Sequence, residues 1–206
     1  MDERISQESP FSLQAEAAYQ RWRAQRLAYP LTDLAAATVA VQDLGQLTAQ
    51  EAAALRIALQ HYNMVRYHCA QPVSREALLR FGATLGLRRT DAHLCAEEDG
   101  ISLLQVSAGE PAGDYIPYTD RPLSWHCDGY YNRPEERIRA MLLHCVQPAW
   151  EGGENALLDP EWLYIVLRDE NPDWIAALMH PQAMTIPANR QGDHELRPER
   201  TGPVFS

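Results

Sequence analysis

Apolar positions recur at roughly helical spacing near the start of the chain. Leu13, Ala17, Tyr19, Trp22 and Leu27 mark residues 11–29, and Pro30 closes the run, which predicts an amphipathic helix. The short run 37–41 (ATVAV) has strand character. Thr48 with Glu51 forms a capping-box opening to an Ala/Leu-rich helix that reaches about His61. Residues 64–68 (MVRYH) read as a strand. Ser74 then opens a helix over 74–85, with Glu76 in its first turn and Gly86 at its stop.

Beyond residue 100 the apolar runs shorten. Strands are predicted at 101–107 (ISLLQVS), 139–146 (RAMLLHCV), 157–158, 183–187 (AMTIP) and 203–206 (PVFS). Between them lie turn-rich stretches, GEPAGD at 109–114 and PAWEGGEN at 148–155, with a polar loop around His194. Asp159 followed by Pro160 and Glu161 opens a helix that runs to about Asp169, and Asn171-Pro172 ends it. Helices dominate the first hundred residues, strands and turns the rest. This segregation predicts one α+β domain over 1–206, a β-sandwich or jelly-roll core with helices packed outside it. No internal repeat, low-complexity tract or linker interrupts it.

Composition narrows the function. With 206 residues and 46% hydrophobic content the chain can bury a core of its own. A net charge of -10 argues against a phosphate-backbone partner, which needs clustered Lys and Arg, so no nucleic acid is expected. No stretch approaches the roughly 18 apolar residues of a membrane span, and the acidic start lacks an apolar leader core; a cytoplasmic protein with no membrane partner is the expectation. Cys69, Cys95, Cys127 and Cys145 show no CxxC spacing, which fits buried free thiols better than a zinc or redox pair.

The candidate chemistry sits at 123–132, LSWHCDGYYN. His126 and Asp128 stand two apart, and on an extended strand such residues share a face, so imidazole and carboxylate can converge on one metal ion. Two histidines and a carboxylate on one face of iron(II) leave positions open for a co-substrate and O₂. The bland alternative is a hydrogen-bonded His–Asp pair.

With these residues in view the chain resembles the TauD/TfdA family of iron(II)- and 2-oxoglutarate-dependent dioxygenases. The likeness is strongest over 115–159, where YIPYTDRPLSWHCDGYYN is followed by RAMLLHCV and the GGEN turn. It extends more weakly to 61–87, HYNMVRYHCAQPVSREALLRFGATLGL. The resemblance implies a double-stranded β-helix core, of which 101–206 would be the first part. It implies iron(II) as cofactor, 2-oxoglutarate and O₂ as co-substrates, and a small organic substrate that is hydroxylated as the keto acid is decarboxylated to succinate. His126 and Asp128 match the first two metal ligands. Asn155 falls where relatives place a threonine that helps hold 2-oxoglutarate, and its amide can also donate to a carboxylate. Gly152 and Gly153 shape the turn that carries it.

Two family features are missing. The distal histidine and the arginine that pairs with the far carboxylate of 2-oxoglutarate have no match, since GPVFS lies upstream of them in similar sequences. His144 reads as a packing residue, His180 as part of a turn and His194 as part of a surface loop. A jelly roll without its late strands leaves edges and apolar faces open, which predicts a homo-oligomer, a partner chain or more chain over that edge. The alternative is a non-catalytic truncated or decayed relative acting as an interaction module; a cupin-like zinc protein is a third reading. Tyr118, Tyr130 and Tyr131, with Tyr115 and Trp125, are candidate substrate-binding aromatics for a quaternary ammonium. Arg121, Arg133 and Arg137 would instead suit an anionic substrate.

Overall fold

The structure is a computed structural model that describes residues 8–89, 99–106 and 116–206. Five helices are described, α1 (Glu16–Leu27), α2 (Ala49–Tyr62), α3 (Arg75–Thr84), α4 (Pro160–Glu170) and α5 (Pro172–Leu178). Six short strands accompany them, β1 (Thr38–Ala40), β2 (Arg66–His68), β3 (Met184–Ile186), β4 (Asn189–Gln191), β5 (His194–Arg197) and β6 (Arg200–Gly202). The chain divides into two compact units. One unites Met1–Val41, Ala49–His68 and Ala149–Ser206, the other Gln42–Thr48 and Cys69–Pro148.

In the first unit β1 and β2 pair in parallel, Thr38 opposite Arg66 and Ala40 opposite His68, with α2 between them in the chain. Parallel neighbours need such a crossover. β3 pairs with β6, and β4 with β5, both antiparallel. The polar loop predicted around His194 is thus a hairpin: Gly192 turns it at φ +59°, where residues with a Cβ are strained.

The core of this unit is aromatic. Tyr19 of α1, Tyr164 and Ile165 of α4 and Ile175 of α5 are buried together, with Phe11, Trp22 and Phe205 packed around them. Phe11 meets Trp22 edge-on at 5.0 Å and Tyr164 at 5.5 Å, the arrangement that ring quadrupoles favour. Arg168 lies under this cluster, 3% exposed, with its guanidinium 3.8 Å from the Tyr19 ring centre. It donates to the carbonyls of Pro10 (2.9 Å) and Ser12 (3.3 Å), which ties the segment before α1 onto α4. Burial, then the hydrogen bond to Asp169, pushes the Tyr19 phenol far above its ordinary range, so it remains a donor.

A second polar contact joins three elements. Arg26, at the last turn of α1 and 9% exposed, donates to the carbonyls of Gln60 (3.1 Å) and His61 (3.4 Å) at the end of α2. The same guanidinium donates to Asp159 at 2.8 Å and pairs with Glu161. Asp159 caps α4 by accepting from the Glu161 amide at 2.9 Å. Asn63, the left-handed residue after α2 at φ +55°, adds its amide to Glu161 (2.9 Å) and Asp159 (3.3 Å). Carbonyls at a helix end and carboxylates at a helix start both attract a cation, which is why one arginine serves both.

The second, third and fourth helices hold to within a residue or so of their predicted bounds, α1 begins five residues after the predicted start at 11, and α5 is an addition. Asn171 closes α4, donating to Leu167, and its side chain then accepts from Asp173 to open α5. A proline in the first helical turn removes only an N–H that has no helical partner, so the predicted stop is also a start. Among the described residues, the runs predicted as strands at 101–107, 139–146, 157–158 and 203–206 lie in no strand, Ser107 being outside them. A run becomes a strand only when a second one lies alongside to share its ladder. Side-chain burial over 141–145 still alternates residue by residue, as it does along a half-buried extended segment. The sheets described are two-stranded.

In the second unit α3 begins at Ser74, whose hydroxyl accepts from the Ala77 amide at 3.2 Å. It buries Ala77 and Phe81. Leu142 lies beside the helix at Gly82, where an added Cβ would stand at an ordinary contact distance of 3.7 Å from the Leu142 Cδ2. Arg75 grips Asp99 through two bonds of 2.6 and 2.7 Å, and the Ile101 amide donates to the same carboxylate. The Arg75 bonds, then the Ile101 amide, hold the Asp99 carboxyl down at about 2. A folded-state pKa below the unfolded 3.8 means that this contact stabilises fully above about pH 4 and is lost as pH falls toward 2. Arg75→Gln is expected to remove that acid-side component, measured as the difference between the two proteins' unfolding midpoints at pH 5 and pH 2.5. An identical difference at both pH values would rule it out.

Among the described residues no helix is long and apolar enough to cross a membrane.

Candidate metal centre

Residues 123–132 lie in no strand, contrary to the extended geometry expected of them; a turn occupies 128–131. The two predicted ligands converge all the same. His126 Nε2 stands 3.3 Å from Asp128 Oδ1. His126 Nδ1 lies 2.8 Å from the Ser124 carbonyl, which can only accept, so Nδ1 carries a hydrogen and Nε2 is the ring nitrogen that faces the carboxylate side.

That separation has a metrical meaning. Charge-assisted N–H···O bonds run at about 2.7–2.9 Å, shorter than this pair. Two adjacent ligands of an octahedral ion with bonds of about 2.1 Å are about 3.0 Å apart. Anchoring the distal imidazole nitrogen on a backbone carbonyl is also what orients metal-bound histidines. At 3.3 Å the pair stands a few tenths of an ångström wider than either, within the span of an ion pair and near that of one edge of an octahedral site. Both side chains are a little over one-third exposed, so an ion could reach them from solvent. Among the described residues, no third His, Cys, Asp or Glu joins them to make a set of three. His180 accepts from the Gln182 amide at 3.1 Å in the turn after α5, and His194 begins β5.

The turn that sets Asp128 depends on its neighbour. Gly129 takes φ +63°, and a Cβ there would stand 2.8 Å from Ile138 Cδ1 and 2.9 Å from Asn132 Nδ2. Asn132 is in turn fixed by its amide bond to the Glu136 carbonyl, 3.0 Å. Gly129→Ala is therefore expected to cost about 1–3 kcal/mol of local stability and to weaken metal binding at His126 and Asp128. Isothermal titration with manganese(II) checks it; an unchanged affinity would show that the turn does not set the ligand.

The aromatic candidates are arranged differently from a cage. Tyr130 and Tyr131 pack edge-on against each other at 5.1 Å, and both remain exposed. Trp125 is 71% exposed. Tyr118 ends a short 3-10 turn, Ile116–Tyr118, and is half-buried, while Tyr115 lies outside the described residues. Asn155 belongs to the first unit, where its amide donates to the Gly153 carbonyl at 3.3 Å. Gly152 and Gly153 take φ +70° and +78°, the left-handed values expected of that turn. The Ser124 carbonyl and the seat that Ile138 makes for Gly129 were not legible in sequence. One is a backbone atom, which any residue supplies; the other is a contact across nine positions that no spacing rule marks.

A model of the taurine catabolism dioxygenase TauD, TfdA family matches residues 27–206. A curated relative, a uridine-5'-phosphate dioxygenase from Amycolatopsis sp, is 33% identical over 82 residues, which cover 40% of this chain and 28% of that protein. No solved structure matches.

Proposed function

The chain belongs to the taurine catabolism dioxygenase TauD, TfdA family, and from that premise we propose that it is an iron(II)- and 2-oxoglutarate-dependent oxygenase. His126 and Asp128 are its metal ligands, Asn155 a contact for the keto acid, and Tyr118, Tyr130 and Tyr131 substrate-facing residues. The segment 101–206 belongs to a double-stranded β-helix. The observation that carries the reading is the convergence of His126 Nε2 and Asp128 Oδ1 at 3.3 Å with Nδ1 held by Ser124.

Each residue has a physical task. The Ser124 carbonyl retains the proton on Nδ1 and so leaves Nε2 free to bind a cation. Asp128 supplies the negative charge that favours a divalent ion over water at that edge. Gly129 keeps the carboxylate on the imidazole side. When bound, iron(II) would couple decarboxylation of the keto acid to O₂ reduction and hydroxylation of an aliphatic carbon. The relative named for uridine 5'-phosphate acts, by that name, on an anion. Arg133 and Arg137, which flank the turn Pro134–Glu136 beside the motif, suit such a substrate class here.

A second reading rests on exposure. Leu103, Leu104, Met141 and Leu143 are each about half exposed, and Val146 is 80% exposed, as on an interaction module of the same fold with no turnover. One experiment separates the two. Iron(II) and then 2-oxoglutarate are added anaerobically to the 206-residue chain, and the visible charge-transfer band of a chelated keto acid is sought. A band supports the oxygenase. Folded protein with no band overturns it for this chain and favours the module.

A further inference from the structure

We propose that Asn63 and Arg26 are positioning residues for the 152–159 segment, fixing the turn that presents Asn155; the link to Asn155 rests on the keto-acid contact proposed above. The segment is short and irregular, and its side chains are mostly exposed, so it makes little core of its own. Its two ends are nevertheless held. At the start, Gly152 and Gly153 fold the chain back so far that a Cβ on Gly153 would stand 3.1 Å from the Ala149 Cβ, and Asn155 is tied to that turn through the Gly153 carbonyl. At the other end Asp159 is gripped from two directions, by Arg26 at 2.8 Å and by Asn63 at 3.3 Å, while it caps α4.

Asp159 lies four positions beyond Asn155. At an extended reach of about 3.3–3.6 Å per residue such a tether spans at most about 14 Å, so fixing Asp159 confines the turn. The anchor itself is rigid for a chain-level reason. Arg26 binds the closing carbonyls of α2, and Asn63 is the left-handed residue that ends the same helix. α1, the end of α2 and the start of α4 thus meet at one point. A loop that must hold a ligand group to within a fraction of an ångström needs such a support, because small misplacements are expensive in binding.

Asn63→Gly tests this without backbone strain, since glycine accepts φ +55° at least as readily while losing the amide contacts to Asp159 and Glu161. Two readouts are taken well below the unfolding temperature. Amide hydrogen exchange over 150–158 is expected to quicken, and the dissociation constant of 2-oxoglutarate from the iron(II)-loaded chain to rise about fivefold or more, with iron(II) affinity unchanged. Unchanged exchange would overturn the clamp. Faster exchange with unaltered 2-oxoglutarate affinity would overturn its role in positioning, provided that Asn155→Ala does weaken 2-oxoglutarate. If Asn155→Ala also leaves that affinity at the wild-type value, the contact assigned to Asn155 is what fails. Glu161→Gln, which keeps the shape and weakens the same cluster, is expected to reproduce the exchange result.

Discussion

Replacing Arg26 with methionine is expected to destabilise the first unit by about 3 kcal/mol, which for a chain of this size is about 6–12 °C in Tm. The guanidinium is 10% exposed and faces carboxylates that are 17% (Asp159) and 32% (Glu161) exposed. A methionine fills much of the stem's volume, so the loss is mainly electrostatic. It leaves two partly buried carboxylates and two helix-end carbonyls without their shared donor. Arg26→Lys restores the charge but not the fork that reaches both α2 and α4, and should recover part of the stability only. Thermal unfolding followed by tryptophan fluorescence reports the change, since Trp22 packs against the core of that unit. A loss below about 1 kcal/mol would mean that water replaces the arginine at little cost, as at exposed ion pairs.

His126→Ala carries the second large effect, and it separates function from folding. The ring is 37% exposed and its described polar contacts are local, so stability should change by no more than about 0.5 kcal/mol. Metal affinity should fall more than about 100-fold, because one of two converging ligands is lost and Asp128 alone cannot chelate. Asp128→Asn keeps an oxygen at the site without its charge and should fall between that variant and the wild type. Cys127→Ser, altering the exposed thiol between the two ligands, should bind manganese(II) as the wild type does. If Cys127→Ser loses the metal while His126→Ala retains it, the chain binds through thiolate and the zinc reading replaces the iron one.

Much of the helical structure was legible because its signals are local. Ser74 and Asp159 each carry a side-chain oxygen at the position where a helix leaves an amide without a partner, and each accepts from that amide in the structure. Asn171 does the same for α5, where the sequence reads only as a stop. The apolar face of 11–29 appears as α1 with Tyr19 buried. His126 and Asp128 were legible as a pair because they are two residues apart, although the turn at 128–131, and not the expected strand, sets their geometry. The strands at 101–107 and 139–146 were not legible as drawn, because an apolar run states that it could pair and not with what. His194 shows the converse. A polar stretch with Gly192 in it reads as loop, yet the same glycine is what turns a hairpin.

The sequence by itself determined the bounds of α2, α3 and α4 to within a residue or so, put His126 and Asp128 forward as a pair, and carried the family to which the chain belongs. These follow from contacts within a few residues, and short-range contacts are written as spacing. Only the tertiary structure decided that Arg26 joins two helix ends thirty to a hundred and thirty residues away, that Arg168 is buried beneath Tyr19, and that Ile138 requires a glycine at 129. An arginine in a helix pattern looks like a surface charge until the carbonyls and carboxylates that need it are brought to the same place. Burial is a property of the assembled chain, and it turns an ordinary charged residue into an anchor.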